Sequence, residues 1–185
     1  MKIFTFLLSL LPAIALSQQQ ARQFGFQDVL LNASYEGTPE KYKSDCGSSN
    51  DKRFLFCTHK EKLEGIELVA EITFVNQHVS EIQVYYPTAR HNDVWLALRE
   101  KYGKEHQREG TTADWYSSAP SPDNPMPDEL SLFKVAEKQP KPDGNYYKPI
   151  QYGLIEYRSM ATARETYKQK LSEQERKVKS LSKGL

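Results

Sequence analysis

The alternation of apolar and polar side chains across residues 64–87, Glu-Gly-Ile-Glu-Leu-Val-Ala-Glu-Ile-Thr-Phe-Val-Asn-Gln-His-Val-Ser-Glu-Ile-Gln-Val-Tyr-Tyr-Pro, restricts what this chain can fold into more than any other feature. Successive side chains of a strand point to opposite faces. Ile66, Leu68, Ala70, Ile72 and Phe74 therefore share one face, with Glu67, Glu71 and Thr73 on the other. Asn76, Gln77 and His78 break the run, which resumes with Ile82, Val84 and Tyr86 opposed to Glu81, Gln83 and Tyr85. Two such runs predict an antiparallel hairpin with its apolar faces in register, and hence a sheet with one surface for burial and one for solvent.

The first residues set the expected compartment. Lys2, an apolar run, then Ala15 and Ser17 before Gln18 read as a secretory signal peptide over 1–17. The run is shorter than the roughly 20 residues of a spanning helix and contains Pro12. The sequence thus predicts an exported, periplasmic or secreted chain without a transmembrane segment. Removing 17 of 185 residues leaves 168, enough for one domain over 18–158 followed by a tail. The mature charges balance, 24 basic (25 less Lys2) against 24 acidic, which argues against nucleic acid as a partner. The balance is uneven along the chain. Residues 158–185 hold eight Lys or Arg and three Glu, a net of +5.

Cys46 and Cys57 are the only cysteines, and an even number in an exported chain predicts a disulfide. The spacing lacks the Cys-x-x-Cys form of a redox or metal pair. Asn32-Ala33-Ser34 fits a glycosylation sequon, which matters only in a eukaryotic secretory host; the opening reads as bacterial.

In order, 24–31 reads as a short strand or a helical turn, and Thr38-Pro39-Glu40 opens a short helix over 39–45. A strand over 53–58 and a charged connection over 60–65 lead to the hairpin, which Pro87 ends. His91 or Asn92 starts a helix to Tyr102, with Val94, Trp95, Leu98 and Tyr102 on one face, Arg99 to Lys101 toward water and Gly103 as its stop. Strands follow over 111–117, 130–135 and 150–158, separated by proline-rich loops at 118–128 and 136–149. The expected class is α+β: an antiparallel sheet of two helix-plus-three-strand halves, about 37–87 and 91–158, with a basic C-terminal helix over 159–185 docking through Met160, Ala163 and Tyr167. That helix has two readings, a contact for an acidic partner or membrane surface, and a plain solvated helix.

No stretch carries a reaction signature. His59, His78, His91 and His106 are scattered, and no Gly-x-Ser-x-Gly, Ser-x-x-Lys or phosphate loop is present. Glu67 and Glu71 share a strand face as a glycosidase pair would, but the solvent side of a half-buried strand explains them. No catalytic, cofactor or metal residue is therefore assigned. Of eleven tyrosines, Tyr146 and Tyr147, beside Asp143-Gly144-Asn145, are the first candidates for partner contact, with Tyr85 and Tyr116 next; Tyr86 and Trp115 are expected in the core.

The order of helix, cysteine-containing connection, strand and hairpin, then Leu98-Arg99-Glu100-Lys101-Tyr102-Gly103 and a Trp on the next strand, resembles small exported bacterial proteins of unknown function. More distantly, the layout is similar to β-lactamase inhibitory proteins and small outer-membrane assembly lipoproteins. The chain lacks the lipoproteins' anchoring cysteine and matches none of the inhibitors' contact residues. Export, the lack of catalytic motifs and the aromatic, proline-rich loops on a disulfide-tied sheet lead to the expectation of a non-catalytic module that binds another protein, as an inhibitor, an immunity factor or an accessory of an envelope machine. The alternatives are an enzyme with a site assembled from dispersed residues and a self-associating structural protein.

Overall fold

The computed structural model describes residues 22–48, 53–137 and 150–161, and the isolated positions 164, 168, 171, 172, 175, 176 and 179. The expected signal peptide and the Tyr146-Tyr147 pair lie outside these residues. The described chain is mostly one eight-stranded antiparallel sheet with one α-helix.

The hairpin forms as its alternation requires: β5 (Ile66–Val75) and β6 (His78–Pro87) pair with Ile72 opposite Ile82 and Ala70 opposite Val84. A two-residue turn joins them, with Asn76 and Gln77 at φ 50° and 65°, the left-handed pair that matches strand twist. The register shifts between Thr73 and Phe74, so that Phe74 faces Val79 while Thr73 faces Glu81. Ser80 is the extra residue of this bulge. It explains how Val79 and Ile82, three apart, are both fully buried.

Upstream, β3 (Cys46–Ser48) and β4 (Phe54–Leu63) complete a four-stranded meander. Strand β4 runs through the charged stretch expected as a connection, because Lys60 and Lys62 alternate with Glu61 and Leu63 and satisfy strand periodicity. Glu64 and Gly65 make the turn, at φ 48° and 82°. Cys46 and Cys57 stand directly opposite, with Cα atoms 4.0 Å apart, and form the expected disulfide. Closing an 11-residue separation stabilises the fold by about 3 kcal/mol on the loop-entropy model.

Downstream, a 3-10 turn (Thr88–Arg90) leads into α1 (His91–Tyr102), and Gly103 at φ 77° follows. Then come β7 (Gln107–Glu109), β8 (Thr112–Tyr116), β9 (Glu129–Glu137) and β10 (Ile150–Arg158). The spatial order β3-β4-β5-β6-β10-β9-β8-β7 places two meanders back to back along β6 and β10. The expected two halves of one helix and three strands are corrected by this order. Each half supplies four strands, since β3 and β7 add edge strands, and the first half has no α-helix. The expected helix over 39–45 is one 3-10 turn, Glu40–Tyr42. The Thr38 hydroxyl donates back to Ser34 O instead of capping it, and the chain must extend by Cys46 to reach its disulfide partner.

The expected C-terminal helix is not seen as an element. Most of 159–185 lies outside the described residues; isolated positions such as Ala161 and Arg164 have helical backbone. Of the residues expected to dock it, Ala163 and Tyr167 lie outside the described residues; Asp128 holds the described start of the segment, its Oδ1 accepting from Met160 N at 2.8 Å and from Arg164 Nη1 at 3.1 Å. Among the described residues no helix is long and apolar enough to cross a membrane.

The core lies on one face of the sheet, where Trp115 and Tyr86 are buried as expected. It is covered by α1, by the 3-10 turn through Tyr42, and by the small hairpin β1 (Gly25–Phe26) and β2 (Val29–Leu30). Phe24 packs edge-on to Tyr102, whose hydroxyl donates to Gly25 O at 2.9 Å; Trp115 Nε1 donates to Gly103 O at 2.8 Å.

At the seam Tyr86 faces Gly153, and its ring lies so close that a Cβ on residue 153 would fall 2.1 Å from Tyr86 Cζ. The Tyr86 hydroxyl meets His91 Nδ1 at 2.8 Å, and His91 Nε2 meets Thr111 O at 3.0 Å. A carbonyl only accepts, so Nε2 carries the hydrogen and Nδ1 accepts from the tyrosine. Burial, then the Lys134 charge, holds the His91 pKa below its ordinary 6.5.

Two outcomes are expected. Gly153→Ala must displace the Tyr86 ring and should lower stability by about 2–3 kcal/mol in urea melts, whereas Gly47→Ala, with open space at its Cβ, should cost well under half of that. Because the folded state prefers neutral His91, its contribution is fully present above pH 6.5 and is lost as pH falls from there through the lower folded value. Urea midpoints measured from pH 8 to pH 5 should fall more steeply for the native chain than for His91→Asn; equal slopes would refute the assignment.

Candidate functional site

The sheet face opposite the core is covered by no helix among the described residues, and strand register sets its side chains in rows. One row runs Lys60, Val69, Tyr85, Leu154, Phe133 across β4, β5, β6, β10 and β9. The next runs Thr58, Glu71, Gln83, Glu156, Ser131, Asp114, and a third Phe56, Thr73, Glu81, Arg158, Glu129, Tyr116. An apolar, aromatic stripe therefore lies beside two acidic rows.

In the stripe, Tyr85 and Tyr152 meet edge-on with ring centroids 5.3 Å apart, and Leu154 is 7% exposed although it points away from the core. Its cross-strand neighbours Tyr85 and Phe133 are themselves partly buried. The Tyr85 hydroxyl donates to Gln83 Oε1 at 2.7 Å, with Glu71 Oε2 as a second acceptor at 3.2 Å. Burial, then the Glu71 charge, pushes the Tyr85 phenol well above its usual value. It stays a neutral donor.

The acidic rows form one hydrogen-bonded group. Gln83 Nε2 donates to Glu156 Oε1 at 3.0 Å and to Glu81 Oε1 at 3.3 Å. Arg158 lies 4.0 Å from Glu81 and 3.9 Å from Glu129, and bonds Glu156. Burial, then the neighbouring Glu156, raises the Glu81 pKa, against the opposing pull of Arg158. Glu71, Glu81, Glu129 and Glu156 in their ionised forms carry four negative charges against the one positive charge of Arg158, a local net of −3. Among the described residues no group of three or more His, Cys, Asp and Glu is placed to hold a metal ion.

Of the candidate contacts read from the sequence, Tyr85 stands at the centre of this face. Tyr116 stands at its far end, three strands and two rows away. Burial, then the Glu129 and Asp114 charges, raises its phenol pKa. Tyr146 and Tyr147 lie outside the described residues. Glu71 joins Tyr85, while Glu67, on the same strand face, stands opposite Lys62 at the start of β5. Sequence reading missed Leu154, Phe133, Glu156 and Glu129. The alternation of β9 and β10 was the available signal, but their two faces are both partly apolar, so polarity did not say which was free. Arg99 is exposed, as expected, and sits with Arg108 over the Trp95 ring, at 5.3 and 4.1 Å.

Compared with models of known protein families, with curated proteins and with solved structures, the chain matches none.

The raised pKa of Glu81 gives this face a signed pH response. The folded state binds the Glu81 proton more tightly than the unfolded chain, so acidification through the raised value toward 4.5 favours folding. Glu81→Gln removes the buried charge beside Glu156. It should raise stability at pH 7 by about 0.5 kcal/mol, and its gain over the native chain should vanish by pH 4 in paired urea titrations.

Proposed function

We propose that the protein is an exported, non-catalytic module that binds another protein through the free face of its sheet. The partner presents apolar side chains flanked by Lys or Arg. One observation carries the reading: the row Val69, Tyr85, Leu154, Phe133 lies beside four carboxylates, on a face that no described element covers. Tyrosines held by hydrogen bonds supply large contact area at small entropic cost. The adjoining carboxylates favour a basic surface and speed its approach.

The Cys46–Cys57 disulfide fits an oxidising compartment outside the cytoplasm, and with the expected signal peptide it supports a periplasmic or secreted location. Inhibitor, immunity factor and envelope-machine accessory are the roles this reading admits. It assigns no catalytic residue.

A photo-crosslinking amino acid at position 85 or 133, in cells that express the chain, should join it to one defined protein. The same group at Leu96, exposed on α1, should not. With that protein purified, Tyr85→Ala should weaken binding by about 30-fold, the effect of losing a central aromatic contact. Glu71→Lys should weaken it further at low salt than at high. Equal crosslinking from positions 85 and 96, or affinity indifferent to both substitutions, would overturn the proposal.

A further inference from the structure

On the core face a second feature remains, independent of the free face. Between α1 and the sheet lies an apolar cavity of about 230 Å³. Ile66, Val84 and Ile155 form its floor, Ala97 and Leu98 of α1 its roof, and Phe26 one wall. A gap of about 150 Å³ already admits benzene in an apolar core. Interiors are ordinarily packed without such gaps, and here α1 contributes an alanine, Ala97, to the roof. Leu63, also lining the cavity, is 46% exposed, so apolar surface continues out to the mouth.

Four charged residues line the mouth: Glu64, Arg90, Asp93 and Lys101. Arg90 is neutralised by Asp93 at 3.0 Å. The Lys101 ammonium rests 3.4 Å from Gly25 O and 5.0 Å from the centre of the Tyr102 ring, and no described carboxylate pairs with it. Glu64 belongs to the β4–β5 turn rather than to α1. A guest that fills the apolar interior and carries one negative charge at its end finds a cation at the α1 side of the mouth.

We propose that this cavity binds the tail of a single-chain carboxylate amphiphile of medium length, with its carboxylate at Lys101. A free fatty acid is the simplest such compound. The tail replaces solvent against a wall with few polar atoms, and the charge fixes which end faces outward.

The probes are sodium decanoate and 1-decanol, kept below their aggregation limits, with the native chain carrying ¹³C-labelled methyl groups. Decanoate should bind saturably at submillimolar concentration and shift methyl resonances of Ile66, Val84, Val94, Leu98 and Ile155, while those of Val69 and Val135 on the free face stay fixed. Lys101→Gln should weaken decanoate by about fivefold or more and leave decanol unchanged. Ala97→Phe, with folding confirmed by the near-ultraviolet signals of Trp95 and Trp115, should abolish both. Absence of shifts at the cavity methyls, shifts centred on the free face, or decanol binding as tightly as decanoate would each overturn the proposal. None of these results bears on crosslinking from position 85, so the two readings stand or fall separately.

Discussion

The structure depends on the pairing of β6 with β10. Every other strand pair is sequential within one meander, but this pair joins residues 81–87 to residues 152–158 and makes one sheet of two. The approach is allowed because residue 153 has no side chain. Tyr86 lays its ring over that gap and so replaces the missing contact across the seam. The same ring ends in a hydroxyl bound to His91, the first residue of α1, which in turn holds Thr111 ahead of β8. One aromatic side chain thus ties the seam, the helix that covers it and the entry to the last three strands. The cost of disturbing it is the cost of separating two half-sheets, neither of which has a large core of its own.

The bulge at Ser80 sets which residues face which way. Without it, Val79 and Ile82 would fall on opposite faces, and either the Phe74 end or the Tyr86 end of the hairpin would expose its apolar set. With it, Val79, Ile82, Val84 and Tyr86 all point to the covered face, and Glu81, Gln83 and Tyr85 to the free one. Position 81 is then beside Arg158, and position 83 beside Glu156. The acidic group is therefore assembled by the seam as much as the core is, from two strand pairs, β5 with β6 and β9 with β10, that lie far apart in the chain.

This is why the fold was more legible in the sequence than the site. The hairpin, α1 and the Cys46–Cys57 bridge each rest on a local signal: alternation, helical spacing with a glycine stop, and an even cysteine count. Trp115 and Tyr86 followed from the strands that carry them. Strand β7 had no such signal, since all three of its residues are exposed, and β4 was shortened because Lys60, Glu61 and Lys62 look like a connection until their partners on β5 are known. The pairing of Glu81 with Glu156, the shielding of Leu154 and the need for glycine at 153 all arise from a contact between strands about 70 residues apart. No local pattern encodes them.

The sheet's edges bear on how such a protein meets another. Strands β3 and β7, which end it, are three residues each, and short edges give little purchase for strand addition. Beyond Thr58, whose N–H donates to Asp45 O at 2.8 Å, residues 59–63 of β4 pair on this side with no described strand. They include Lys60, Glu61 and Lys62, and charges of this kind blunt edge-to-edge pairing. A role in self-association through strand edges therefore draws less support from this architecture than contact through a face. The covered face is committed to the core and to the cavity beneath α1. What the fold leaves for a large partner is the side where Tyr85, Tyr152 and Phe133 stand among carboxylates, and there the uncompensated negative charge favours a basic partner over an acidic one.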